Sequence, residues 1–129
     1  MVLPLDFSFR PLYRSPSMNP DRLLDIPGTE CLLPAPPGSD VSRAFTSDLL
    51  SDVLAHAADN SILITIQAHQ NTVAVASLVG IRVILACSSR PVPSDMLVAA
   101  RNNQIAVFRT PLDQFESSVA VHRLLSPAP

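Results

Sequence analysis

The chain contains no lysine and no tryptophan, and it has only three glycines, two cysteines and one tyrosine among 129 residues. Without lysine there is no Schiff-base amine, no lysine general base and no P-loop phosphate ligand. The glycines, Gly28, Gly38 and Gly80, are too dispersed for a dinucleotide fingerprint, a Walker A loop or a nucleophile elbow. The three histidines, His56, His69 and His122, match no zinc-hydrolase or Cys/His ligand spacing, so neither metal nor cofactor is expected. No basic cluster exists, and the formal net charge is −2. The electrostatic attraction that nucleic acid or an anionic membrane surface requires is missing. Long apolar runs are missing too. The longest, Thr72 to Ala86, is interrupted by Gly80 and Arg82 and is too short to cross a bilayer. Pro4, Asp6 and Arg10 break up the start of the chain, which lacks the pattern of a secretory signal. The expectation is a soluble, cytoplasmic protein. Cys31 and Cys87 each sit in an apolar stretch and are expected as buried free thiols.

What remains is apolar material in quantity: 47% of the residues are hydrophobic. That suffices for one core in a chain of single-domain length. Residues 1–19 carry Pro4, Pro11 and Pro16 among Phe7, Phe9, Leu12 and Tyr13 with no helical or alternating period. They are read as an irregular arm, packed on the domain or on a neighbouring subunit through its aromatics, or else as a partly ordered tail. Residues 20–129 form the domain. Asn19-Pro20 starts a short helix, with Asn as N-cap, that Pro27-Gly28 ends. Strands are expected over Thr29–Leu33 and Val41–Thr46, on either side of the breaker Pro34-Ala-Pro-Pro-Gly38.

From residue 48 the pattern becomes regular. Ser47 caps a helix over Asp48–Ala58 with Leu49, Leu50, Val53, Leu54 and Ala57 as its apolar stripe. Ser61–Ile66 is a β-branched, nearly continuous apolar run, the mark of a strand buried on both faces. Asn71 caps a helix to Val79, which Gly80 terminates in a left-handed conformation. Arg82–Ala86 is a further strand. A helix runs from Ser94 to Asn102, Gln104–Phe108 is another strand, and Thr110 caps a last helix with Leu112, Phe115, Val119 and His122 facing inward. Repeated βα units at this spacing imply right-handed crossovers and a mainly parallel sheet in a single three-layer α/β domain.

In such sheets ligands bind beyond the carboxyl ends of the strands, near helix N-termini. That rule selects Gln67, His69 and Asn71 after the first buried strand, Ser88, Ser89 and Arg90 after the second, and Arg109 and Thr110 after the third. Asp48 joins them at the start of its helix. Two arginines and several helix N-termini suit a phosphate or nucleotide; the other reading is that these are caps and solvated loop residues. Asp48 and Asp52, at i and i+4, either share one site or complement the helix dipole. An enzyme built on Asp48, Asp52 and His69 requires those three side chains to converge. No nucleophile, base or metal set recommends catalysis.

The segments Thr46-Ser-Asp-Leu-Leu-Ser-Asp-Val-Leu-Ala55, Ile64-Thr-Ile-Gln-Ala-His-Gln-Asn71, Val73-Ala-Val-Ala76, Gly80-Ile-Arg-Val-Ile84 and Phe108-Arg-Thr-Pro111 together resemble the DRTGG domain family from about residue 19 onward. Where the family has Thr-Gly-Gly, this chain has Ala86-Cys-Ser-Ser-Arg-Pro91. The family is similar to the N-terminal domain of HPr kinase/phosphorylase, whose P-loop lies in a separate domain, and to modules of phosphotransacetylases and CBS-domain pyrophosphatases. The resemblance implies a bacterial or archaeal, non-enzymatic regulatory module, with adenine-nucleotide sensing and subunit association as in the pyrophosphatases. A homodimer with a nucleotide or phosphate ligand is the leading expectation. The alternative is an interaction subunit that takes no small molecule and docks onto a larger enzyme.

Overall fold

The three most apolar runs of the sequence become the middle of a five-stranded sheet. The computed structural model describes residues 17–126; of the arm expected over residues 1–19, all but the last three residues lie outside them. The strands are β1 (Glu30–Leu33), β2 (Arg43–Thr46), β3 (Ser61–Thr65), β4 (Val83–Ala86) and β5 (Ala106–Arg109). They lie in the order β1-β5-β4-β3-β2. The pairs β2–β3, β3–β4 and β4–β5 are parallel, and β1 runs antiparallel to β5 with a register shift between Cys31 and Leu33. Every residue of β3 and β4 is buried. A strand covered on both faces cannot alternate, which is why these two read as unbroken apolar runs.

Strands β2 to β5 advance across the sheet in one direction. Right-handed crossovers then place every connecting helix on the same face. These helices are α1 (Leu50–His56), α2 (Gln70–Val79) and α3 (Ser94–Asn102). Val53, Val73, Ala76, Met96 and Ala100 from them pack with Leu63, Ile84 and Val107 of the sheet. The opposite face is covered by α4 (Gln114–Leu125) and a 3₁₀ turn over Pro20–Asp25. There Leu23, Ile26, Val121 and Leu125 meet Ile62, Ile64, Leu85 and Phe108. The three-layer α/β domain expected from the sequence is therefore the architecture observed.

Several local expectations need correction. Asn19 does cap the first turn, its side chain accepting from the Asp21 amide, but the element is 3₁₀. In the α1 stripe only Val53 is buried, while Leu49 and Leu54 are 60% and 51% exposed, because seven residues cannot turn a five-residue stripe inward. The inner face of α4 is Ser117, Val121 and Leu125. Phe115 and His122 are exposed: the helix begins at Gln114, so Leu112 packs on the core from the preceding loop and does not set the helix face. Cys87 is buried as expected, but Cys31 is exposed, because β1 is an edge strand.

Gly80 ends α2 at φ 80°. A Cβ there would lie 2.8 Å from the Asp59 Cβ, so both conformation and space require glycine. At the amino edge of the sheet, Arg82 donates to the Asn60 side chain at 2.6 Å and to the Gly38 carbonyl at 3.1 Å. This ties the proline-rich loop to the sheet.

Candidate functional site

Because β5, β4, β3 and β2 are neighbours, the residues selected at the carboxyl ends fall along one edge. Arg109 and Thr110 come first, then Ser88, Ser89 and Arg90, then Gln67, His69 and Asn71, and Asp48 last. Three strand spacings separate the extremes, about 14 Å. The set is a row along the edge, with no single point at which all nine side chains meet.

The chain leaves β4 toward α3 on one face and β5 toward α4 on the other. Adjacent strands whose connections diverge in this way open the crevice in which α/β folds bind ligands. Here that crevice is bridged by main chain. The Ser88 amide donates to the Leu112 carbonyl at 2.8 Å, and the Ser89 amide to the Thr110 carbonyl at 3.0 Å. The Thr110 amide donates to Ala86 at 2.9 Å. Reaching those acceptors puts Ser88 and Ser89 at φ 58° and 51°, two successive left-handed residues. Glycine adopts that conformation without strain, whereas serine is disfavoured by roughly 1–2 kcal/mol per residue. The amides of Ser88 and Ser89 are consumed internally, so an anion here would meet the exposed hydroxyls and Arg90.

The two arginines differ. Arg109 holds Glu30 across the β1–β5 pair, with Nε 3.0 Å and a terminal nitrogen 2.9 Å from the same carboxylate oxygen. Arg90 is exposed, and among the described residues no carboxylate pairs with it. Thr110 is fully buried, its hydroxyl accepting from the Leu112 amide at 3.4 Å. It shapes the loop from within. The N-cap expected there belongs instead to Asp113, which forms a reciprocal capping box with Glu116.

Over β3 the loop is held by side chains. Thr65 accepts from the Gln67 amide at 3.0 Å, and Thr72 donates to the Gln67 carbonyl at 2.8 Å. The cap of α2 is His69, whose Nδ1 accepts from the Asn71 amide at 3.0 Å, so the neutral ring carries its proton on Nε2. Gln67, His69 and Asn71 are all exposed, as is Asp48 in the loop before α1. Asp52, within α1, bonds His56 at 2.9 Å and is committed to that pair. Among the described residues no group of three or more His, Cys, Asp or Glu is arranged to hold a metal ion.

Two contacts had no sequence signal. Gln114 accepts from the Ile66 amide at 2.9 Å, and the Ser118 and Thr46 hydroxyls bond at 2.7 Å. They draw the first half of α4 over the ends of β3 and β2. The partners are 48 and 72 residues apart, beyond any local pattern. Beneath the same helix, burial pushes the Cys87 thiol above its ordinary range, although the Ser117 hydroxyl partly offsets this. Cys31 is raised as well, by its partial burial and by Asp21. Neither is an activated nucleophile.

No protein-family model matches the chain, and no curated protein matches it. Among solved structures, the fold is similar to the CBS and DRTGG domains of the regulatory region of Clostridium perfringens pyrophosphatase, complexed with its activator diadenosine tetraphosphate. The TM-score is 0.72 at 15% sequence identity, over 84% of this chain and 47% of that one. The chain thus spans about half the length of that regulatory region.

Proposed function

We propose that this chain is a non-enzymatic regulatory module of the DRTGG type that senses a nucleotide or other phosphorylated anion and acts as a homodimer. The observation that carries the proposal is the fold shared with an enzyme's regulatory region whose structure holds a nucleotide activator. The exposed edge supports it: Arg90 offers a guanidinium that no carboxylate among the described residues pairs, and Ser88, Ser89, Gln67, His69 and Asn71 offer neutral polar groups. Asp48, at the far end of the row, disfavours an anion there, which supports the Arg90 end as the place for phosphate. The 10-residue helix α2 adds its N-terminal dipole alongside.

The test is a thermal-shift series with diadenosine tetraphosphate, mononucleotides, pyrophosphate and inorganic phosphate. A ligand at 100 times its dissociation constant adds about 2.7 kcal/mol of stability, several degrees for a domain of this size. The response is expected to vanish in Arg90→Ala. Silence across the panel rejects the anion reading. Light scattering at tens of micromolar tests the dimer, which a monomeric mass would rule out.

A second reading is favoured by coverage. Because the similar region is about twice as long as the matched part and belongs to an enzyme, an interaction subunit that binds no small molecule and docks onto a larger enzyme also fits. It predicts no thermal response and co-purification with that enzyme.

A further inference from the structure

The layer of α1, α2 and α3 presents an apolar outer surface. Of the large hydrophobic side chains exposed among the described residues, Leu49 and Leu54 belong to α1 and its cap, Leu78 to α2 and Val98 to α3. The middle helix is the unusual one. It packs against both α1 and α3, and none of its ten residues is charged. Thr72, Val73 and Ala76 are buried, which leaves Ala74 and Leu78, one turn apart, facing outward; Leu78 is 75% exposed. A helix without a charged outer face normally has a cover. The Ser77 hydroxyl donates to the Asn103 side chain at 3.1 Å, tying the end of α2 to the end of α3. Leu78 and Val98 thus lie on one continuous layer.

The charge pattern of α3 suits a second copy of the chain. Met96 and Ala100 are buried, so the helix turns Val98 outward. Asp95 and Arg101 are exposed on either side of it, each three residues and about 4.5 Å of rise away. Neither has an ion-pair partner among the described residues. When two such helices lie antiparallel about a two-fold axis at Val98, the Asp95 of each faces the Arg101 of the other. A parallel arrangement sets like charge against like. We propose that this layer is the isologous interface of a homodimer, with Val98 at the axis, Leu78 extending the apolar centre and two Asp95–Arg101 pairs at the rim. The proposal rests on the dimer of the functional reading and adds the surface through which it forms.

The test is sedimentation equilibrium of the full chain from low to high micromolar concentration, with circular dichroism to verify that each variant is folded. Leu78→Asp and Asp95→Arg are each expected to weaken association about tenfold or more. Asp95→Arg combined with Arg101→Asp is expected to restore most of the loss, because both pairs reverse and both survive. Phe115→Asp, on the exposed surface of the opposite layer, serves as the control and should leave association unchanged. A dimer indifferent to Leu78→Asp and Asp95→Arg overturns this interface while the dimer of the functional reading stands. A monomer at every concentration overturns both. Loss in Asp95→Arg without recovery in the double variant overturns the antiparallel pairing, and equal loss in Phe115→Asp moves the interface to the other face.

Discussion

The two halves of the carboxyl edge are closed by different means. Over β4 and β5 main chain bonds main chain: Ser88 to Leu112 and Ser89 to Thr110. Over β2 and β3 the closure is made by side chains, Gln114 to Ile66 and Ser118 to Thr46. A main-chain bridge tolerates almost any side chain that permits the required φ, so it leaves the outward residues free to vary with a ligand. A side-chain bridge fixes residue identities and leaves little to vary. Functional variation is therefore expected at Ser88, Ser89 and Arg90, and structural constraint at Gln114.

The sharpest break of the first half comes from Gly28. It sits at φ 81°, and an added Cβ would lie 2.9 Å from the Pro111 Cγ, in the loop that receives the serine amides. Gly28→Ala combines left-handed strain with overpacking and should cost about 2–4 kcal/mol. Chemical denaturation measures it. A cost below about 1 kcal/mol would show that the Pro111 loop yields, and that the main-chain closure is soft.

The second half is tested by Gln114→Ala, which leaves the Ile66 amide without its acceptor. The expected loss is about 1–3 kcal/mol, with Gln114→Glu retaining most of the stability because a carboxylate oxygen still accepts. If the two variants are equally destabilised, packing rather than the bond holds α4 over β3.

These contacts mark the boundary of what the sequence carried. The βα alternation was legible because Ser61–Thr65 and Val83–Ala86, buried on both faces, cannot hide their composition. Strand order was not, since a run of apolar residues says nothing about which run lies beside it. Of the candidate row, the exposed polar residues followed from loop position alone. The commitment of Arg109 to Glu30 depends on the antiparallel edge pairing, which no local pattern encodes. The Asp113–Glu116 capping box was readable from its spacing but was outweighed by Thr110-Pro111. The His69 cap was not readable, because imidazole is not among the usual capping groups.

A smaller effect separates the two arginines. Arg109→Ala breaks an ion pair whose members are 29% and 53% exposed, so screening holds the loss to at most about 1 kcal/mol. A double-mutant cycle with Glu30→Gln measures it. Ligand response should survive Arg109→Ala and fail in Arg90→Ala. The reverse order would move the anion to the β1–β5 end.

The least perturbing test is also the most specific to the main-chain bridge. Ser88→Gly and Ser89→Gly each remove left-handed strain while keeping the amide donor. They also give the unfolded chain more freedom, which offsets part of that gain. The net change should be a stabilisation of at most about 1 kcal/mol per site, read as a small rise in Tm. Ser88→Ala keeps the strain and deletes only the hydroxyl, so it should leave stability nearly unchanged. If the glycine variants stabilise while weakening a nucleotide response, the hydroxyls contact the ligand, and serine is held at a strained position for function. If they stabilise with the response intact, Arg90 carries the recognition and the serines are simply the residues this bridge tolerates.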